Sequence, residues 1–164
     1  MSRKEKHLQM NSNDNKPEGA TTSGDEISTL VNSWIAAFNA HDVESIIAHY
    51  AEDAELFDTG MKHARKGRHE ITSWFTQRFR HMPTIQYTPT QHFFNETEAA
   101  ICWLAKGHTP AILGQRWLSR PFQVDGVSIF LVRSGLISWQ HGYYDHLSIV
   151  EQVLPPLKWL PLKL

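Results

Sequence analysis

Apolar side chains recur with a helical period in three stretches of the first half of the chain. The longest stretch places them three or four positions apart, at Ile27, Leu30, Val31, Trp34, Ile35 and Phe38. Such spacing predicts an amphipathic helix that begins at about Asp25. Asp42 can cap a second, shorter helix over residues 43–50, and the spacing over residues 68–81 predicts a third. Between these two helices we expect a short strand over residues 54–58 and a loop over residues 59–67.

Beyond Pro83 the pattern changes to that of β-strands. Four stretches are predicted to be extended: residues 84–95, 98–106, 122–132 and 136–144. Turn residues at 95–97 and 133–135 predict antiparallel pairing of successive strands. A last helical turn over residues 148–153 ends before Pro155. This order predicts an α+β fold, in which three helices pack on the concave face of a curved antiparallel sheet and form a cone around a cavity.

The last predicted strand carries an unusual set of side chains. Trp139, His141 and Tyr143 alternate along residues 136–144, and Asp145 follows them. Side chains alternate between the two faces of a strand, so these four residues are expected to share one face. Apolar walls with a few convergent polar groups are typical of a small-molecule pocket. We therefore expect this face to line the cavity.

Composition and charge exclude several classes of function. Sixteen basic and seventeen acidic residues give a net charge of −1, which argues against a nucleic-acid partner. The chain has one cysteine, no compact His pair and no Gly-rich phosphate loop, so we expect no metal and no cofactor. No apolar run reaches the roughly 20 residues of a membrane span, and no secretory signal is visible. A cytoplasmic location fits these features.

The chain divides into one domain and two tails. Residues 1–24 are polar and are expected to be disordered. Residues 25–153 form the domain. Residues 154–164, LPPLKWLPLKL, form a Pro-rich extension that we expect to pack on the domain's own sheet, with a neighbouring subunit or a membrane surface as alternatives.

Short motifs follow one another in a characteristic order along the chain. They are Phe38-Asn39-Ala40-His41-Asp42, Tyr50-Ala51-Glu52-Asp53-Ala54, Phe57-Asp58, Gly67-Arg68-His69-Glu70-Ile71, Gly107-His108-Thr109, Gly114, Gly126-Val127-Ser128-Ile129-Phe130, Gly135-Leu136-Ile137, Asp145 and Gln152. Over residues 27–153 they resemble the SnoaL-like polyketide cyclase branch of the nuclear transport factor 2-like superfamily. The resemblance implies the cone-shaped fold and a homodimer through the convex face of the sheet. Polar and aromatic residues on both faces of the strand 84–95 suit such an interface.

Three residues are candidates for catalysis. The resemblance implies that Asp145 is the carboxylate that moves a proton next to a carbonyl, and neighbouring aromatics would raise its pKa by desolvation. A helix cap is the alternative for Asp145. His141 could share a proton with Asp145 or polarise a carbonyl, or it could be a stacking residue of the wall. His108 matches the histidine of the family's loop motif, and an exposed loop histidine is its alternative.

The remaining candidates would bind the substrate. Asp58 could orient a water molecule or the substrate, or it could simply form the turn before Thr59. The apolar walls of the cavity are assigned to Trp34, Phe38, Trp74, Trp103, Phe130 and Tyr143.

These residues predict a cofactor-free cyclase or isomerase that acts by proton transfer on a small hydrophobic carbonyl compound. A non-catalytic binder of a small hydrophobic molecule is the first alternative. Epoxide hydrolysis is another, and it would need two carboxylates and an arginine around a water molecule, with Asp145 and Asp58 as the carboxylates.

Overall fold

The computed structural model describes residues 23–109 and 119–153. The described helices are α1 (Ser23–Asn39), α2 (Val43–Ala48), α3 (Gly67–His81) and α4 (His146–Val153). The described strands are β1 (Tyr50–Asp58), β2 (Arg65–Lys66), β3 (Gln86–Phe94), β4 (Glu98–His108), β5 (Pro121–Arg133) and β6 (Leu136–Tyr144). Each predicted element is present. The first strand starts four residues earlier than predicted, and β2 falls within the predicted loop.

Parts of the sequence interpretation concern residues outside this description. Residues 1–22 of the predicted tail lie outside it, whereas Ser23 and Gly24 belong to α1. The motif residue Gly114 and the C-terminal extension also lie outside the described residues. The predictions made for these segments stay predictions.

Six strands form one curved sheet in the order β2-β1-β6-β5-β4-β3. The hairpins β3–β4, β4–β5 and β5–β6 are antiparallel as predicted, and β1 also pairs antiparallel with β2. The pairing of β1 with β6 is parallel, and it places Asp58 opposite Gly142. This mixed sheet with its helices confirms the predicted α+β fold.

The helices cover one face of the sheet because their apolar stripes need a partner surface. From α1, Val31, Trp34 and Phe38 are buried, and from α3, Ile71 and Phe75 are buried. They meet the inward side chains of the strands, which include Ala54, Leu56, Tyr87, Ala99, Ile101, Trp103, Phe122, Val124, Phe130 and Ile137. The core therefore lies between the helices and the concave face.

Ile137 of β6 faces this core, and after an irregularity in the pairing with β5 the strand presents its even-numbered residues from Gln140 onward to the core. Gln140 is 4% exposed and accepts a hydrogen bond from the Tyr50 hydroxyl. The odd-numbered residues face outward: His141 stacks on Tyr143 at 3.9 Å and meets Phe57 at 4.6 Å. Trp139, His141 and Tyr143, which were predicted to line the cavity, therefore lie on the side of the sheet away from the helices. Alternation groups residues by face, but the covering helices decide which face is inside.

Candidate functional site

A cavity of about 170 Å³ opens between the end of α3, the strands β4 and β5, and the start of α4. Its wall is largely apolar, with polar groups only at a few positions. The lining residues are Arg78, Met82, Ile85, Trp103, Ala105, Thr109, Phe122, Val124, Tyr144, His146 and Ile149. An apolar cavity with few convergent polar groups is the usual form of a small-molecule site.

Arg78 is the charged residue buried in this wall. It lies on the inward side of α3 and is 7% exposed. Its Nη2 donates to the Tyr87 hydroxyl at 3.2 Å, and its guanidinium carbon is 5.7 Å from the centre of the Trp74 ring. Its Nε has no hydrogen-bond partner among the described residues. A buried guanidinium with a free donor is costly unless another group compensates it.

The compensating charge is that of Asp58, at the end of β1. Its Oδ2 lies 3.7 Å from Arg78 Nη1, and its Oδ1 accepts from the Gly60 backbone N–H at 3.0 Å. Burial lowers the pKa of the Arg78 guanidinium, but the facing tyrosine hydroxyls and the Asp58 carboxylate outweigh burial and raise it. Asp58 therefore forms the turn, as one of its two sequence interpretations held, and it is also the counter-charge of Arg78, a role that the sequence did not indicate. It sits behind Arg78 and does not itself line the cavity.

Tyr144 brings a hydroxyl to the same place. It ends β6, lines the cavity, and lies close enough to Asp58 and Arg78 for both to shift its pKa. Burial raises the pKa of Tyr144, and the Asp58 carboxylate raises it further. The side chain is consequently neutral and keeps its proton as a hydrogen-bond donor.

Two stacked aromatic side chains, Tyr87 and Trp103, pack against the cluster of Asp58, Arg78 and Tyr144. Tyr87 packs against Phe38 at 4.0 Å and against Trp103 at 4.4 Å. The Trp103 indole N–H donates to the Ser128 hydroxyl at 3.0 Å. Burial raises the pKa of Tyr87, so its hydroxyl is also neutral when it accepts from Arg78. Each of these side chains is fixed by a partner, which makes the cavity floor rigid.

His146 lies at the mouth of the cavity. Its ring is 4.3 Å from that of Tyr144, and both rings close over Gly60. A methyl group at Gly60 would come within 2.6 Å of the imidazole and 2.9 Å of the Tyr144 hydroxyl. The absence of a side chain there lets the imidazole and the hydroxyl share one space. The exposed imidazole and the half-buried hydroxyl therefore lie side by side between solvent and the cavity.

Asp145 does not enter the cavity. Its side chain is exposed, and its Oδ1 accepts from the Leu147 backbone N–H at 2.9 Å, in the first turn of α4. This is the helix-cap alternative, since a cap oxygen satisfies one of the free N–H groups of a helix start. The assignment of Asp145 as a desolvated carboxylate among aromatics is corrected accordingly.

His141 and Tyr143 lie on the outer face of the sheet. His141 packs against Phe57, Trp139 and Tyr143, and its Nε2 has no partner among the described residues. Burial lowers the pKa of His141, although Asp58 acts in the opposite direction. Tyr143 is 42% exposed. Neither residue lines the cavity described above, and the packing of His141 matches its stacking alternative.

His108 ends β4 outside the cavity. Its Nδ1 lies 3.2 Å from the Thr84 hydroxyl, and its backbone N–H donates to the same hydroxyl at 3.0 Å. The surrounding groove contains Lys106 and Gln123 rather than the buried cluster. The structure thus separates the three predicted catalytic residues from one another.

The predicted apolar walls fall into two groups. Trp34, Phe38 and Phe130 are at most 2% exposed and form the core, so they do not line the cavity. Trp74 is half-buried beneath the guanidinium of Arg78, and Trp103 lines the cavity directly. The first group packs between α1 and the sheet, where large apolar side chains are usually buried.

The sequence interpretation missed Arg78, Tyr144 and His146. A signal for Arg78 was present, because it lies seven residues after Ile71, on the buried side of α3. A charge at such a position has to be compensated in the core. Tyr144 shares the even-numbered face of β6 with Gln140, and polar residues on that face gave the corresponding signal.

Two further findings apply to the described residues. Within residues 23–109 and 119–153, no three His, Cys, Asp or Glu side chains are grouped so that they could hold a metal ion. In the same part of the chain, no helix combines the length and the apolar character needed to cross a bilayer.

Comparison with known proteins identifies the relatives of this chain. Residues 31–140 match the family model described as a SnoaL-like domain. None of the curated proteins matches the sequence. A solved structure of a protein assigned as a polyketide cyclase, from Xanthomonas campestris pv. campestris, is similar with a TM-score of 0.72 and 21% identity. The alignment covers 80% of this chain and 99% of that one.

Two other solved structures are similar over comparable lengths. A hypothetical protein from Catenulispora acidiphila has a ketosteroid isomerase-like fold and was solved in complex with trimethylamine; its TM-score is 0.68 at 21% identity, over 80% of this chain and 97% of that one. A protein assigned as a SnoaL-like polyketide cyclase, from Shewanella denitrificans, has a TM-score of 0.69 at 14% identity, over 78% of this chain and 96% of that one. These TM-scores show a common fold.

Proposed function

This chain belongs to the SnoaL-like domain family, and from that premise we propose that it is a cofactor-independent cyclase or isomerase. It moves a proton on a small, apolar compound that contains a carbonyl group. The observation that carries this proposal is the convergence of Arg78 and Tyr144 on an apolar cavity, with Asp58 buried behind them. Fixed donors in a dry site stabilise a developing oxyanion far better than water does.

The substrate carbonyl oxygen accepts hydrogen bonds from the Tyr144 hydroxyl and the Arg78 guanidinium. The His146 imidazole, at the cavity mouth, takes a proton from the carbon next to the carbonyl. The electron pair of the broken C–H bond forms a carbon–carbon double bond, and the carbonyl π electrons move to oxygen, which gives an enolate. The two donors stabilise this negative charge.

The reaction then ends in one of two ways. In isomerisation, the imidazolium returns the proton to another carbon of the conjugated system. In cyclisation, the enolate carbon attacks an electrophilic carbonyl carbon of the same molecule, and the proton goes to the new alkoxide. Asp58 acts as a positioning residue in both, because it holds Arg78 in place and shifts the pKa of Tyr144.

A specific observation supports a second candidate, a non-catalytic binder of a small hydrophobic molecule. No carboxylate lines the cavity among the described residues, and the predicted catalytic Asp145 faces solvent. The likeness to the trimethylamine complex also favours binding of a compact ligand. A binder would keep its ligand without any turnover.

Proton exchange separates the two candidates. We expect the protein to catalyse deuterium exchange next to the carbonyl of cyclohexanone in heavy water, measured by NMR. His146→Gln should lower the exchange rate by about 10²–10⁴-fold, which is the usual contribution of a positioned acid or base. His108→Gln is the matched control, because it makes the same change outside the cavity. Binding of cyclohexanone without exchange would establish the binder, and full exchange in His146→Gln would remove His146 from the mechanism.

We also propose that a second copy of the chain packs on the outer face of the sheet. Trp139, His141 and Tyr143 form a continuous aromatic row there, and Phe93 on β3 is 60% exposed. Apolar and aromatic residues in the centre of a patch are typical of interfaces between subunits. Light scattering at micromolar concentration should give the mass of a dimer, and Tyr143→Glu should give that of a monomer. A monomeric wild-type protein would contradict this assignment.

A further inference from the structure

The position of Trp103, which forms the floor of the cavity, points to the size of the substrate. We propose that Trp103, lying across Gly126, limits the ligand to a single six-membered ring with small substituents, so that bicyclic and larger polyketides are excluded. The size limit follows from the cavity itself. The assignment of the ligand as a carbonyl compound rests on the function proposed above.

Three residues lie in one row across the sheet. Trp103 on β4 is directly opposite Gly126 on β5, which in turn is directly opposite Tyr144 on β6. Residues paired in this way point to the same face of a sheet. All three therefore face the concave side, and the middle position has no side chain.

The missing side chain is what gives Trp103 its position. A methyl group built on Gly126 would lie 2.3 Å from Cη2 and 2.6 Å from Cζ2 of the indole. The edge of the six-membered ring of the indole thus lies over the glycine, and the Tyr144 ring centre is 6.1 Å from that of Trp103. The indole occupies the space that a side chain of β5 or a larger ligand would otherwise fill.

Trp103 cannot swing away to admit a larger ligand at low cost. It is 3% exposed, and it stacks on Tyr87 at 4.4 Å with an angle of 5° between the ring planes. Its indole N–H is fixed by the hydrogen bond to Ser128 at 3.0 Å. Moving the indole aside would break this buried hydrogen bond and leave the indole N–H without a partner, which is unfavourable.

The remaining volume fits one ring. The cavity measures about 170 Å³. An apolar cavity of about 150 Å³ is known to hold one benzene molecule. A monocyclic ketone can therefore place its ring on Trp103, Phe122 and Ile149 while its oxygen meets the donors at Arg78 and Tyr144. A second fused ring would have to overlap the indole.

The test is a size series of ketones bound to the full chain, measured by isothermal titration calorimetry. Cyclohexanone, α-tetralone and anthrone present one, two and three fused rings beside one carbonyl. We expect cyclohexanone to bind and α-tetralone to bind about 10-fold or more weakly relative to it, the discrimination that a filled apolar pocket gives. Equal or tighter binding of α-tetralone or anthrone, or no binding of cyclohexanone, would overturn the size limit.

Substitutions at Trp103 and Gly126 should change the size of the ketone that binds best. Trp103→Ala should reverse the preference in favour of α-tetralone, and Trp103→Phe, which keeps a ring on Tyr87, should narrow the difference if the alanine variant does not fold. Gly126→Ala should weaken cyclohexanone binding by pressing on the indole. Gly24→Ala is its matched control, since nothing lies within 4 Å of a methyl group there. An unchanged ranking in both Trp103 variants would contradict the role of this residue.

The two proposals can fail separately. If cyclohexanone binds selectively but its protons do not exchange, the enzymatic function fails and the size limit stands. If α-tetralone exchanges its protons as fast as cyclohexanone, the size limit fails and the function stands.

Discussion

The two faces of β6 carry similar residue types but differ in their surroundings. The inner face packs against helices, and the outer face lies on the opposite side of the sheet. On the inner face Tyr144 lies close to the buried pair of Asp58 and Arg78, and Gln140 accepts a hydrogen bond from the Tyr50 hydroxyl. The outer face carries an aromatic row with His141 at its centre, and the His141 Nε2 has no partner among the described residues. The inner charges of Arg78 and Asp58 compensate each other, although Arg78 Nε also lacks a partner among the described residues, whereas His141 on the outer face is held by stacking.

This difference shows what makes a site on a sheet. Aromatic and titratable side chains are present on both faces, so their presence alone does not indicate chemistry. The inner face differs because α3 supplies a guanidinium and α4 supplies an imidazole to the same space. A function therefore depends on which elements cover a strand.

The largest effect is expected at Arg78. In Arg78→Met the Asp58 carboxylate stays buried without its counter-charge, and loss of one partner of such a pair costs about 3–5 kcal/mol of unfolding free energy. Asp58→Asn combined with Arg78→Met should recover a large part of this loss, since no charge then remains buried. Urea denaturation at neutral pH measures both variants.

The control is a shorter but exposed ion pair. Arg133 Nη2 lies 2.7 Å from Asp53 Oδ1, with the two side chains 62% and 70% exposed. Solvent screens such pairs, so Arg133→Met should have little effect despite the better distance. Equal losses in Arg78→Met and Arg133→Met would show that the buried cluster is not the compensated site inferred here.

The sequence predicted the helices and strands well, but it did not predict which face of β6 points to the core. The reason is physical. Helical and alternating periods are local, so the bounds of α1, α3 and β6 agree with the prediction to within a few residues. The parallel pairing of β1 with β6 joins residues more than 80 positions apart, and no local pattern encodes it. Without that pairing, the position of Asp58 next to Tyr144 could not be predicted.

The inner cluster was hidden for a related reason. Arg78 follows the apolar period of α3, but charged residues on helices usually face solvent, and its carboxylate partner is on another element. Alternation on β6 correctly grouped Trp139, His141 and Tyr143, yet both faces of a strand obey the same period. Which face of β6 is buried depends on where the helices pack, and the sequence of the strand carries no information on that.

A smaller effect is expected at Asp145. Asp145→Ala removes the side-chain acceptor for the Leu147 N–H at the start of α4, and loss of such a cap costs about 1 kcal/mol. Proton exchange on cyclohexanone should remain close to that of the wild type, because Asp145 does not line the cavity. Asp145→Asn, which can still cap, should restore stability. A loss of exchange in Asp145→Asn with normal stability would return Asp145 to the chemistry.

The smallest effect is expected at His141, on the outer face, and it depends on pH. Burial holds the pKa of His141 below its ordinary value of 6.5. Between the lowered pKa and 6.5 the unfolded chain binds more protons than the folded one, so stability falls as pH decreases through this window and is fully present above it.

His141→Gln should therefore flatten the dependence of unfolding free energy on pH below about 6.5, where an imidazole gains its charge. His63→Gln is the matched control, because it makes the same substitution at an exposed position of the loop between β1 and β2. Curves of equal slope for His141→Gln and the wild type would contradict the desolvation of His141. Because a second copy on the outer face would bury the imidazole further, the slope should also steepen with protein concentration. The neutral hydroxyl of Tyr144 on the inner face should contribute nothing in this range, since its pKa is raised.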